Sequence, residues 1–371
     1  MDAIVDLTGN GQAQGVVANS ILNNGKLNVG AMRPFIADDG KTYISSYKGF
    51  GDPKLPTSYV TNQINNNALL RRDEWKQLDE VLVQVGQERL GGIQDLIDKN
   101  LVFNLGNAMG TTVLEWHDMS DGMEATVSMD GVTRSKNDKL DFGHNYLPIP
   151  IIHSDYEINA RTLAASRNMG NALDTNSAAA ATRKVLQKLE NMLFTNTTYA
   201  FGEKDARNRN SIYSYLNFPD RNQVTLSSTW DESGKTPAQI LKDVQNMKDA
   251  LVAVNKYGPY QLYIPTAWDS VLDEDYSVAG GSIMTIRERL LKLSGISGIK
   301  TIDTLPANNA IMVQMTSDVV RLVKGLGLQN VEWETEGKFI TNYKVLTIQV
   351  PQIRSDANGH CGIAQLAGSF A

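Results

Sequence analysis

The chain has 371 residues, 42% of them hydrophobic and 20% charged; this is about two and a half domains' worth at roughly 150 residues each and excludes collagen-like and wholly disordered classes. Its 35 Lys and Arg against 41 Asp and Glu leave a net charge of −6, so no overall positive field is present to hold nucleic acid as a dedicated DNA or RNA reader does. The single cysteine, Cys361, excludes an intrachain disulfide and a multi-cysteine zinc site. The start MDAIVDLTGNGQ has no basic, then apolar, leader pattern, and no apolar run reaches ~18 residues; the chain reads as soluble and made in a cytoplasm.

From Met1 to about Asn67 the sequence is rich in Gly, Asn, Gln and Ser, with only Asp2, Asp6 and Lys26 charged in the first thirty residues. Clusters such as Asn23-Asn24-Gly25 and Asn65-Asn66-Asn67 favour irregular backbone, and the segment reads as an arm ordered against something else. In LLRRDEWKQLDEVLVQVGQERLGG, Trp75, Leu78, Leu82 and Val85 recur at helical spacing, which predicts an amphipathic helix of about five turns ended by Gly91-Gly92. Residues 111–147 predict a long β excursion with turns at Asp121-Gly122 and Asp130-Gly131. LPIPIIHSDYEIN follows as a strand that its two prolines place at an edge or a strand start.

Asp174, Thr175 or Asn176 then caps a long helix whose buried face carries Ala178, Ala181, Val185, Leu189 and Met192, with Leu186 and Leu193 beside them. Thr236-Pro237 opens another helix, with Ile240, Val244, Met247 and Leu251 on its buried stripe. After it come a strand (YQLYIP), a helix (AWDSVL), a Gly-rich loop (DEDYSVAGG), a helix (TIRERLLKL) and strands at GIKTID, AIMVQM and DVVRLV, the makings of an α/β module. KGLGLQ, Lys324 to Gln329, reads as a turn between strands. The alternating text VEWETEGKFITNYKVLTIQVPQI needs partners outside that module, so the order of elements predicts two interleaved domains in an α+β fold.

Catalytic signatures are sparse. His117, His144, His153 and His360 are far apart with no H-E-x-x-H and no i, i+4 pair, and no phosphate-binding, dinucleotide or nucleophile-elbow motif occurs. Asp273, Glu274 and Asp275 read either as a carboxylate cluster for a divalent ion or acid/base work or, more simply, as a solvated loop. Trp75, Trp116, Trp230, Trp268 and Trp333 are dispersed, as core or interface anchors are. The expectation is a structural protein and not an enzyme, with no cofactor and no metal.

From Leu70 to Leu366, about four fifths of the chain, the order of elements resembles the Hong Kong 97-type major capsid proteins of tailed bacteriophages, in the branch shared with bacterial encapsulins. LRRDEWKQLDEVLVQVGQERL resembles the encapsulin arm helix, and LPIPIIHSDYEINARTLAASRNMGNALDTNSAAAATRKVLQKLENMLFTN resembles the strand and spine helix of the peripheral domain. NKYGPYQLYIP resembles the axial-domain strand, and VEWETEGKFITNYKVLTIQVP the closing peripheral strands.

The resemblance implies an N-terminal arm (1–69), an arm helix and start of the peripheral domain (70–110), and an extended β-hairpin loop (111–147). It further implies a peripheral domain with spine helix (148–236), an axial α/β domain (237–328), and closing strands and tail (329–371). The extended loop, with Trp116, Met123, Lys136 and Lys139, would lie over a neighbouring subunit. A loop with Asp273, Glu274, Asp275, Tyr276, Ala279, Gly280 and Gly281 would sit at the five-fold and six-fold axes, its acids forming a ring of negative charge.

The implied function is self-assembly into pentamers and hexamers of an icosahedral virion shell around double-stranded DNA, in the host bacterial cytoplasm, with scaffold, portal and decoration proteins as further partners and no membrane. The alternative is an encapsulin-like compartment enclosing cargo enzyme. Encapsulins have no counterpart of the first 67 or so residues, and no charged coiled-coil scaffolding segment is fused here. A loop lysine to asparagine cross-link, Lys136 or Lys139 to Asn358, is not expected, because no motif fixes the pairing.

Overall fold

The computed structural model describes residues 35–368 except 49–51, 53–54, 65–69, 72–73, 79, 81–90, 120–126, 128, 130–141, 169–174, 197–198, 202–209, 278–282, 335–338 and 357. Alternation along its central strands decides how the chain is layered. Strands β10 (Asn222–Thr225), β18 (Ile363–Ala367), β15 (Asn309–Gln314), β11 (Tyr260–Pro265) and β14 (Ile296–Ile302) lie side by side in that order. The outer pairs are parallel and the inner ones antiparallel. Successive side chains point to opposite faces of a strand, so Tyr263, Ile311, Val313 and Ile363 enter one core while Leu262, Ile264, Ala310, Met312, Ala364 and Leu366 enter another. Burial on both faces is why YQLYIP and AIMVQM are nearly continuous apolar runs.

The first of these cores is shared with the other layer. Helix α1 (Gly91–Asp98) and the spine α3 (Asn176–Phe194) pack with β4 (Val102–Asn104), β16 (Val320–Glu334), β17 (Ile340–Ile353) and β7 (Ile152–Asn159), which form a four-stranded sheet in that order. The predicted face of α3 is buried, together with Thr182 and Glu190. Thr175 precedes the helix without making a side-chain cap. β7 is an edge strand, as its preceding prolines predict; the short α2 (Ala160–Asn168) follows it. On the far face of the five-stranded sheet, α4 (Pro237–Ala253) buries Ile240, Val244, Met247 and Leu251, and Thr236 and Gln239 close a reciprocal capping box at its start. Helices α5 (Asp269–Leu272) and α6 (Ile286–Leu291) complete that side. Trp230 stacks on Trp268 at 4.6 Å between centroids within this core.

Several elements differ from the sequence reading. Gly91 and Gly92, read as a helix terminator, open α1: the Gly92 and Ile93 amides donate to Glu190 at 2.7 and 3.4 Å, and a Cβ on Gly92 would stand 2.3 Å from the Phe194 ring. Upstream, residues 74–78 are helical, with Trp75 and Leu78 buried. KGLGLQ is no turn; it lies inside β16, where the register against β17 shifts twice. Gly325 is needed there for close approach, since a Cβ would sit 2.4 Å from that of Ala108.

Residues 329–371 divide between the two sheets, because β18 returns to the five-stranded one, and β16 enters the four-stranded sheet from Val320 on. The arm is not uniformly irregular either. β1 (Phe35–Ile36), β2 (Thr42–Tyr47) and β3 (Tyr59–Ile64) form an antiparallel sheet around the Asp39-Gly40 turn, tied to the body where the Ile36 amide donates to the Leu70 carbonyl at 3.1 Å.

Candidate assembly surfaces

The base of the expected extended loop is a two-stranded hairpin, β5 (Val113–Met119) against β6 (Phe142–Pro148), in register from Val113↔Pro148 to Met119↔Phe142. One face, Leu114, Trp116 and Leu147, packs on a third core built from Ala108, Ile149, Val323, Leu326, Ile348 and Val350. The other face turns Glu115, His117 and His144 to solvent. Of the segment that joins the two strands, Val127 and Met129 are described, and both are fully exposed. Met123, Lys136, Lys139 and both expected hairpin turns lie outside the described residues.

Trp116 also lines a cavity of about 390 Å3 between the hairpin, the Tyr213–Asp220 stretch and Pro351–Gly359. Its rim is held by polar contacts: the Ser355 hydroxyl donates to Asp220 at 2.6 Å, and Asp356 accepts from the Asn358 and His360 amides at 3.0 and 2.7 Å. The short pair β8 (Tyr199–Ala200) and β9 (Ser211–Ile212) lies beside the hairpin and contributes Ser211 to the lining.

The expected axis loop begins as a second hairpin, β12 (Asp275–Ser277) against β13 (Ile283–Thr285); Ala279, Gly280 and Gly281 lie outside the described residues. Asp273, Glu274 and Asp275 are exposed and Tyr276 is half-buried. The acids are not a bare cluster. Arg287 donates to Asp273 at 3.0 Å and to Asp269 at 2.6 Å, and the Thr301 hydroxyl donates to Asp269 at 2.6 Å. The Thr301 bond first, and then Arg287, hold the Asp269 carboxyl below its ordinary value. Arg289 sits 5.9 Å over the Tyr276 ring. Sequence reading missed Arg287; its signal was a cation in the first turn of the helix that follows an acidic loop.

Helix α1 bolts the two layers together through charge. Asp95, buried, accepts from Lys300 at 2.6 Å and from the Tyr263 hydroxyl at 2.9 Å, and Lys99 donates to Gln261 and Ser297 at 3.1 and 3.2 Å. Burial, ahead of neighbouring charges, pushes the Tyr263 hydroxyl well above its ordinary value, so it stays a donor. Glu190 is the outlier: burial pushes its carboxyl up to about 7 against the opposing pull of the Gly92 and Ile93 amides. None of these groups borders the 390 Å3 cavity. Burial likewise pushes the Cys361 thiol up to about 12, which leaves it inert as a nucleophile at neutral pH. Among the described residues, no helix is long and apolar enough to cross a membrane.

The profile of DUF6260, described as a family of unknown function, matches residues 65–365. No curated protein matches the sequence. Solved structures match by fold. The virus-like particle from Pyrococcus furiosus is 18% identical with a TM-score of 0.53, over 78% of this chain and 98% of that one. The capsid of Myoviridae phage XM1 is 11% identical with a TM-score of 0.56, over 75% and 92%. The capsid of a native GTA particle is 12% identical with a TM-score of 0.51, over 76% and 94%.

Proposed function

The chain belongs to DUF6260, a family of unknown function, and has the Hong Kong 97-type capsid fold; from these we propose that it is the major capsid protein of a tailed bacteriophage. It assembles into the pentamers and hexamers of an icosahedral shell around double-stranded DNA, inside the host bacterium and with separate scaffold, portal and decoration proteins. The observation that carries this reading is the fold shared with the capsid of phage XM1, supported by a hairpin packed on the body by one face whose connecting segment leaves Val127 and Met129 fully exposed. A neighbouring subunit is the natural cover for those two side chains, since symmetric closed assembly buries in the particle what each subunit exposes. In this reading the Asp273–Gly281 loop lies at the symmetry axes; the Arg287 pairs with Asp269 and Asp273 support it by limiting the charge that copies of the loop would bring together. The role is structural, not enzymatic.

A second reading, a non-viral shell holding protein cargo, is favoured by the 98% coverage of the Pyrococcus furiosus particle subunit. The sheet formed by residues 35–64 favours the virion reading, because it adds a docked arm that a cargo shell of the shorter pattern does not need. Electron microscopy of particles formed by the full chain tests both. Large shells with hexamers and pentamers, filled with DNA when recovered from a lysate, are expected; small uniform shells holding protein and no DNA would overturn the phage assignment. In the virion reading the arm also reaches across neighbouring subunits; deleting residues 1–67 is expected to weaken the shell, and unchanged assembly and shell stability would remove that role. Denaturing electrophoresis of mature shells is expected to give a single monomer band.

A further inference from the structure

Sequence spacing separates His117 from His144 by 26 residues, yet the hairpin register sets them directly opposite each other. Glu115 lies two positions from His117 on the same strand and therefore on the same face. The His117 and His144 rings meet edge to face at 4.5 Å between centroids, and Nδ1 of His144 lies 2.9 Å from Oε1 of Glu115. One donor atom from each of the three side chains lies within 4.8 Å of the others.

We propose that Glu115, His117 and His144 form a divalent metal site of the zinc type, clamping the base of the extended hairpin. Two imidazoles and a carboxylate match the donor set of sites that keep a fourth position for water, and imidazole suits zinc where calcium and magnesium want oxygen alone. Ligands about 2.1 Å from a tetrahedral ion stand about 3.4 Å apart; the Glu115 and His144 donors, 2.9 Å apart, have to open slightly, and His117, within 4.8 Å of both, has to close by small rotations of exposed side chains. Trp116 and Leu114 anchor the opposite face of the hairpin to the core, so the strands that carry the ligands are fixed from below. The ion would tie the two strands across the register where the loop leaves the body, and its open position faces outward, where a water or a donor from another chain completes the coordination. The site depends only on the hairpin, so its fate is independent of the capsid reading.

The test uses the full chain, stripped with a chelator, dialysed against micromolar zinc and assayed for bound metal by elemental mass spectrometry. One zinc per chain is expected. The double variant H117Q/H144Q, whose sites are exposed and whose fold is checked by circular dichroism, is expected to bind none, and E115Q, which loses an anionic ligand, to bind at least about tenfold more weakly, the least that loss of even an outer-shell partner costs. Hydrogen exchange in residues 113–119 and 142–148 is expected to slow on zinc addition in the native chain alone. Absence of zinc from the native chain, or equal zinc in H117Q/H144Q, would overturn the site, and undiminished affinity in E115Q would overturn the three-donor assignment.

Discussion

Replacing Glu190 with Gln keeps the shape of the side chain between α3 and α1 and removes a carboxyl that titrates near neutrality. In the folded chain burial holds this group at about 7, against an ordinary value of 4.5, so between those values the native state binds more protons than the unfolded one. Stability therefore falls as pH rises from about 4.5 to 7 and levels above that range. At about 1.36 kcal/mol per unit, the interval amounts to about 3 kcal/mol in total.

Gln carries no such penalty at any pH, though its NH2 group stands where the second carboxylate oxygen accepts from the Gly92 or Ile93 amide, a donor facing a donor and a fixed loss of about 1 kcal/mol. Denaturant unfolding of the native chain and E190Q from pH 4.5 to 8.5 is the assay. E190Q is expected to be slightly less stable at pH 4.5 and to gain on the native chain by about 3 kcal/mol in relative terms by pH 8. A stability difference that stays flat across the range would refute the reasoning, because it would mean the carboxyl titrates at its ordinary value in the folded chain.

Gly92→Ala puts a Cβ into the Phe194 ring at 2.3 Å, and overpacking of about 1–3 kcal/mol is expected to exceed the ~1 kcal/mol gained in helix propensity, lowering the unfolding midpoint. Asp243→Ala strips the partner from Lys235, bonded at 2.8 Å with its side chain 1% exposed, and the acceptor from the Trp230 indole; a loss of about 3–5 kcal/mol is expected, and Asp243→Asn should recover part of it in the same melt. Arg287→Ala is expected to speed hydrogen exchange at Asp275–Ser277 and Ile283–Thr285 while costing at most about 1 kcal/mol, as befits partly exposed pairs. Cys361 is expected to resist iodoacetamide in the native chain and to react once the chain is unfolded.

What could be read ahead of the structure was what periodicity carries. The face of α3, the stripe and Thr236 cap of α4, the strand YQLYIP and the β character of the segment that holds β5 and β6 all follow from local spacing and composition. Meanings that depend on a distant partner were not legible. Gly91 and Gly92 punctuate a helix in either direction, and only Glu190, 98 residues from Gly92, decides that one begins there. Gly325 looks like a turn until Ala108 is seen against it. Asp273 looked like one of three bare acids because Arg287 stands beyond the loop. The strands TYISSY and YVTNQI carry no clean alternation and sit in Asn- and Gly-rich text, so nothing local marks them as a sheet. His117 and His144 carry no sequence motif at all; the register of the hairpin joins them.

The five-stranded sheet gives alternate residues of β11, β15 and β18 to two different cores. No plane of easy slip separates the layers, since any sliding would shear the same strands from both sides at once. A load applied to one layer therefore passes to the other through continuous β-structure, not through a flexible joint, and the body of the chain behaves as a single stiff plate.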